Sequence, residues 1–245
     1  MISSLSNERI KYLVKLQKRK YRDLENEYIV EGEHLVNEAI KANCVKEVFI
    51  LKGYKFKTNL PVTFVSRDVM KKISTMDTSS NIVALCKKII NKTIVNKILI
   101  LDELQDPGNL GTIIRSSVAF NIDTIILGDN TVDLYNPKVL RATQGMYNHI
   151  NIFSMNAEKA ITEIKKRNIP VYGTNVKNGI DVRSLGKKDK NSFCLILGNE
   201  GNGVKSEIQD MCDENLYIKM NKNAESLNVG VACSILLYEM GDSDE

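Results

Sequence analysis

Apolar runs and helical periodicities alternate along the whole chain, and the alternation changes character near residue 92. Ile10, Leu13, Val14 and Leu16 stand near helical spacing with basic residues between them, which predicts a helix over 6–20 with a cationic face. Short apolar runs at 28–30, 45–51, 62–65 and 82–86 predict strands, and helical segments are expected at 33–42 and, led by Ser66, to about residue 74. This mixed α/β order suffices for one small domain over 1–92. Polar residues 87–96 read as a connector by charge and position. Beyond them, Lys97-Ile-Leu-Ile-Leu101 is a continuous apolar run of the kind expected of a parallel strand covered on both faces. Further strands are expected at 124–127, 150–153, 171–173, 193–197 and 216–220. Helices are expected from the Asp106-Pro-Gly-Asn109 turn to about Phe120, then at 137–144, 158–167, 205–211 and 226–240. Residues 93–245 therefore read as an α/β domain with a mainly parallel sheet.

Charge separates the same two parts. The chain of 245 residues carries 34 Lys+Arg and 30 Asp+Glu, a formal net charge of only +4. Residues 1–92 hold 18 basic and 10 acidic side chains, whereas 93–245 hold 16 and 20. Within 1–22 the excess is sharper still, with Arg9, Lys11, Lys15, Lys18, Arg19, Lys20 and Arg22 against Glu8 alone. Such asymmetry points to a polyanion-binding module joined to a second function. No apolar stretch has the length of a membrane span and no signal-peptide core follows Met1, so a cytoplasmic protein is expected. The five cysteines are scattered without a C-x-x-C pair, and His34 and His149 are the only histidines. A disulfide framework, a metal site and chemistry built on several histidines are accordingly not expected.

Three segments place Gly, Asn and charged residues directly after buried strands, the edge where open α/β sheets bind ligands. In the first, 101–115, Asn109 reads as a helix cap or ligand group, and Arg115, six residues on, as a surface ion-pair residue or a phosphate fork. In the second, 195–206, Gly198 and Gly203 have P-loop spacing, but Val204 separates Gly203 from Lys205, so a triphosphate loop is not expected. What remains is a backbone that a ligand can approach closely, with Glu200 at the strand end or capping the helix near Lys205. In the third, 224–233, Ser226 or Glu225 is a candidate cap for the last helix.

Together these segments resemble the three ordered motifs of the SpoU/TrmH group of SPOUT-class RNA 2′-O-ribose methyltransferases. Asp106-Pro-Gly-Asn-Leu-Gly-Thr-Ile-Ile-Arg115 is similar to the first motif, Ile196-Leu-Gly-Asn-Glu-Gly-Asn-Gly203 to the second, and Ile218-Lys-Met220 through Glu225-Ser-Leu-Asn-Val229 to the third. The N-terminal part, with Glu31-Gly-Glu-His-Leu-Val36, resembles the ribosomal-protein-like substrate-binding domain that precedes this catalytic domain in many members. Lys219 stands where the third motif usually has proline, and 141–150 lacks the usual proline after its histidine.

The resemblance implies a trefoil-knotted α/β domain, a rare exception to unknotted chain topology. It implies S-adenosylmethionine as cofactor and a homodimer whose pocket uses residues of both subunits. Asn109, Arg115, Glu200, Ser226 and Asn228 would form the catalytic pocket; Thr174, Gly198, Gly201, Ile218, Met220 and Leu227 would surround the cofactor. Arg115 would bind a phosphate beside the target ribose, with Glu200 ordering the motif or orienting Arg115. Lys15, Lys18, Arg19, Lys20 and Arg22 would contact RNA phosphates, with Tyr21 available for stacking. The expected activity is 2′-O-methylation of structured RNA, with 23S ribosomal RNA favoured by the separate N-terminal domain. Transfer RNA as substrate and a non-catalytic RNA-binding or ribosome-assembly protein are the alternatives.

Overall fold

A computed structural model describes residues 1–89, 91–176, 178–186 and 190–241. The chain divides into two compact units, Met1–Ile89 with Asp133–Asn148, and Ile90–Val132 with His149–Glu245.

The first unit is built on a four-stranded sheet in the order β1-β4-β2-β3, with β1 at Glu27–Glu31, β2 at Val45–Leu51, β3 at Val62–Val65 and β4 at Ile82–Lys87. β4 runs antiparallel to both β1 and β2, and β3 is parallel to β2. Helices α1 (Glu8–Lys15) and α4 (Arg67–Ile73) bring Ile10, Leu13, Val69, Met70 and Ile73 against Ile29, Phe49, Val83 and Leu85. The helix expected over 6–20 is in fact two, because α1 stops at Lys15 and α2 runs Arg19–Glu25. Arg22, within α2, reaches back and donates from Nη1 to the carbonyls of Leu16 and Gln17, each at 2.8 Å. It thus satisfies carbonyls that the end of α1 leaves without helical partners.

Residues 133–148 lie within the stretch read from sequence as the second domain, yet they pack with the first unit. They contain α6 (Pro137–Thr143) and a 3-10 turn, Met146–Asn148. Tyr135 lies 4.5 Å from Tyr28, ring centre to ring centre, and the Tyr147 and Tyr28 hydroxyls are 3.1 Å apart. Arg22 donates to Asp133 Oδ2 from Nη2 at 2.5 Å and from Nε at 3.1 Å. Gly145 (φ +85°) follows α6 where a Cβ would lie 2.6 Å from Cγ of Glu38, so the turn demands glycine on both counts.

Among the described residues the second unit holds seven parallel strands in the order β7-β6-β5-β10-β8-β11-β9. β5 is Lys97–Leu101, β6 Thr124–Leu127, β7 Asn151–Ser154, β8 Val171–Thr174, β9 Ile180–Asp181, β10 Phe193–Leu197 and β11 Glu214–Tyr217. The predicted α/β fold with a mainly parallel sheet is the fold observed. On one face, Ile98, Ile100, Ile126, Cys194 and Ile196 meet Ala160, Ile161 and Ile164 of α7 (Ala157–Lys165) and Ile208 of the single helical turn Ser206–Gln209. Leu99, Leu101 and Leu195 point to the other face by strand alternation. α5 (Pro107–Ala119) and the final helix (Val229–Met240) pack together, joined by a 2.7 Å bond between the Ser116 and Ser234 hydroxyls.

Three departures from the sequence reading shape the site. β11 ends at Tyr217, so Ile218–Met220 leave the sheet and present their backbone as a loop. The final helix begins at Val229 with Asn228 as its cap, rather than at Ser226. The helix expected over 205–211 is only the turn Ser206–Gln209.

Candidate active site

All three motif segments converge where β5, β10 and β11 end, at the carboxyl edge of the sheet. β5 leads on through α5 to β6 on one side while β10 adjoins it on the other, which makes this the point where the strand order divides. Asp106 caps α5, its Oδ1 accepting the Asn109 N–H at 2.8 Å, and Pro107 opens the helix. Because the cap role belongs to Asp106, the Asn109 side chain is released for other work. Its Nδ2 donates to Glu200 Oε1 at 3.2 Å, and its Oδ1 accepts from Asn228 Nδ2 at 2.9 Å. Asn228 Oδ1 in turn accepts the N–H groups of Gly230 and Val231 at 3.0 and 3.2 Å. One chain of hydrogen bonds therefore ties the second motif to the first and the first to the third.

Glu200 also accepts the backbone N–H groups of Asp106 (2.9 Å) and Gln105 (3.2 Å). It braces the turn leading into α5, not the helix near Lys205. Burial pushes the Glu200 carboxyl up, but the bonds from Asp106, Asn109 and Gln105 outweigh it and hold the group below the ordinary glutamate range. Asn199, which the sequence reading passed over, organises the loop between. Its Oδ1 accepts from Gly201 N (2.9 Å) and Asn202 N (3.3 Å), and its Nδ2 donates to the Glu103 carbonyl at 3.1 Å. An Asn beginning a Gly-rich turn was the available signal. Gly198 is obligatory here, since a Cβ would overlap the Gly203 carbonyl and the Val204 nitrogen.

These loops enclose a cavity of about 270 Å³. Thr174, Gly198, Gly201, Ile218, Met220 and Leu227 all line it, as do Glu200 and Ser226. Leu197, Leu216 and Leu236 form apolar wall, and Thr174 Oγ1 is bonded to the Ile196 carbonyl at 3.0 Å. Ser226 caps no helix and faces the cavity instead.

Arg115 is not drawn into this network. It stands exposed on α5, six residues or about 240° around the helix from Asn109, and among the described residues it has no bond to Glu200. Of the two roles read for Glu200, ordering the motif is the one that its bonds to Gln105, Asp106 and Asn109 serve.

In the first unit, Lys15, Lys18, Arg19 and Lys20 are exposed, with Arg19 3.5 Å from Asp23. Lys15 Nζ lies 6.0 Å from the centre of the Tyr21 ring, and that ring is half-buried against the core. Arg22 is a correction to the expected phosphate contacts. It is 4% exposed and its donors are spent on Asp133, Leu16 and Gln17, so none faces a ligand. Among the described residues no group of three His, Cys, Asp or Glu side chains is placed to hold a metal, and no helix is long and apolar enough to cross a membrane.

The profile of the SpoU rRNA Methylase family matches residues 96–238. The chain belongs to this family. The MRM3-like substrate binding domain matches residues 7–84, so both parts of the resemblance hold across the member's length. Among curated proteins, the family member is 37% identical over 245 residues to the 23S rRNA (guanosine(2553)-2′-O)-methyltransferase RlmP of Bacillus subtilis (strain 168), covering 98% of each chain. Among solved structures it superposes on the AdoMet-bound rRNA methyltransferase from Sinorhizobium meliloti with a TM-score of 0.85 at 26% identity, over 98% of this chain and 96% of that one. An RNA 2′-O ribose methyltransferase gives a TM-score of 0.82 at 26% identity, over 98% and 97%.

Proposed function

We propose that this SpoU-family protein transfers a methyl group from S-adenosylmethionine to the ribose 2′-hydroxyl of a guanosine in 23S ribosomal RNA. The observation that carries the reading is the convergence of all three motifs on one cavity, supported by full-length similarity to a 23S rRNA methyltransferase of that specificity.

The cavity fits the cofactor on chemical grounds. Ile218, Met220, Leu227 and the leucine wall offer apolar surface, and the loops at Gly198 and Gly201 offer backbone at close range. Glu200, held ionised, puts a negative charge at the wall of a pocket for a cationic sulfonium. When bound, S-adenosylmethionine supplies an electrophilic methyl group. The residues of the chain then have to position a poor oxygen nucleophile, and positioning can supply much of the rate. Asn109, Glu200 and Asn228 are committed to one another, so they fix the three loops and do not reach outward. Ser226, facing the cavity, is left to hold the sugar. The Arg115 guanidinium binds the phosphate beside the target ribose and polarises the 2′-hydroxyl. The guanidinium keeps its own protons, and the proton of the 2′-hydroxyl passes to water or to a substrate phosphate.

Among the described residues Arg115 has no partner, which fits a site completed by a second copy. Thr112, Arg115 and Ala119 share the exposed stripe of α5, and on the neighbouring final helix Val231 and Tyr238 are 46% and 70% exposed. Such a paired exposed face, with Ala119, Val231 and Tyr238 as its apolar part, suits a two-fold homodimer, and we place the protein in the cytoplasm with its ribosomal substrate. Lys15, Lys18, Arg19 and Lys20 hold RNA phosphates at the first unit.

The test is methyl transfer from labelled S-adenosylmethionine to 23S rRNA, with cofactor binding followed by calorimetry. Wild-type protein should do both, and Arg115→Ala should bind cofactor normally while losing at least ~100-fold in turnover. A chain that binds RNA but no cofactor would instead be an assembly protein.

A further inference from the structure

A second cavity, of about 620 Å³, adjoins the cofactor site and shares Val176, Ile218 and Met220 with it. The rest of its wall includes Tyr217, Lys219, Lys222 and Glu225. Among the described residues, Lys219, Lys222 and Glu225 make no hydrogen bond or ion pair. Lys219 lies in the field of Asp181, but that carboxylate is already taken by Arg183 at 2.7 Å. Lys219 is also the position where the third motif departs from its usual proline, and Glu225 is a suspected cap that caps nothing, since Asn228 does so. Three uncommitted charges and an aromatic side chain thus border one hollow beside the transfer site.

We propose that this cavity is a nucleotide subsite for the RNA strand next to the methylated ribose. The inference rests on the RNA methyltransferase reading given above. Lys219 and Lys222 are point cations suited to backbone phosphate. Tyr217, Val176 and Met220 offer apolar surface to a base, and tyrosine stacks on unpaired bases in RNA-binding proteins. Glu225 is acceptor-only and calls for a ligand that brings N–H or O–H donors, as a base edge or a ribose hydroxyl does. A bare anion would meet Glu225 as a repulsive neighbour, so the combination favours a nucleotide over free phosphate. This places salt-sensitive RNA contacts in the acidic half of the chain as well as in the basic one.

The experiment compares full-length wild type, Lys219→Ala/Lys222→Ala and Lys219→Arg/Lys222→Arg. KM for 23S rRNA and the salt dependence of rRNA retention on filters are measured for each. The alanine pair should raise KM about tenfold and reduce the log–log salt slope by ~1.4, the value for two contacts to a single strand. The arginine pair should restore both. Inorganic phosphate at matched ionic strength should leave the wild-type KM unchanged. An unaltered slope in the alanine pair, failure of arginine to rescue, or competition by inorganic phosphate would each overturn the proposal. Filter retention needs no methyl transfer, so absence of wild-type methylation would strike the parent reading while the subsite stayed testable.

Discussion

Replacing Arg22 separates a structural role from an RNA-binding one. The side chain is 4% exposed, and Asp133 opposite it is 12% exposed. Removal by Arg22→Ala strands the Asp133 carboxylate and leaves the Leu16 and Gln17 carbonyls without their donor. Breaking a buried pair from one side costs about 3–5 kcal/mol, because the surviving charge stays desolvated. Urea unfolding of wild type, Arg22→Ala, Asp133→Ala and the double variant should give that loss for the arginine variant. The coupling between the two sites should be about 1–3 kcal/mol. At temperatures where Arg22→Ala remains folded, the salt slope of RNA binding should equal that of wild type. Lys18→Ala/Lys20→Ala, by contrast, should lower the slope by ~1.4 while leaving stability within ~0.5 kcal/mol per site. A loss below ~1 kcal/mol in Arg22→Ala, or a reduced salt slope in that variant, would refute the reasoning.

Three further outcomes follow from the cavity and its loops. Gly198→Ala forces a Cβ onto the Gly203 backbone, and overpacking of ~1–3 kcal/mol should weaken cofactor affinity by at least ~10-fold in calorimetry; unchanged affinity would contradict the close approach. Asn109→Ala cuts the link between Glu200 and Asn228 and should lower kcat/KM by ~10–100-fold with the fold retained, a result checked by rRNA methylation and circular dichroism. Glu200 is held below the ordinary glutamate range, so its contribution is complete above the unfolded value near ~4.3 and is lost as pH falls through the lowered folded value. Cofactor affinity should therefore be flat in this group from pH 8 to 5 and fall only in stronger acid, and Glu200→Gln should abolish that acid limb.

Much of the second unit was legible because its strands are buried on both faces and read as uninterrupted apolar runs. β5, β6 and β10 fall on the residues that periodicity marks. β9, two residues long, carries no period to detect. The set that lines the cavity was legible only through motif resemblance, since Thr174, Ile218 and Leu227 have nothing in their local pattern that points inward. Side-chain partners were the least legible. Asp106 and Asn109 are both reasonable caps by type, and only the folded turn decides that Asp106 takes the role. Arg22 reads as one more charge on a basic face because its partner, Asp133, lies 111 residues away in sequence. The same distance hides residues 133–148 as part of the first unit, since a helix shows its apolar stripe but not what will cover it.

The central claim is tested most directly by locating the methyl group that the wild-type protein adds to unmodified 23S rRNA. Nuclease digestion and mass spectrometry of the product should find one new 2′-O-methylguanosine, formed only when S-adenosylmethionine is supplied. A methyl group on a base, or on no nucleoside of that RNA, would contradict the account.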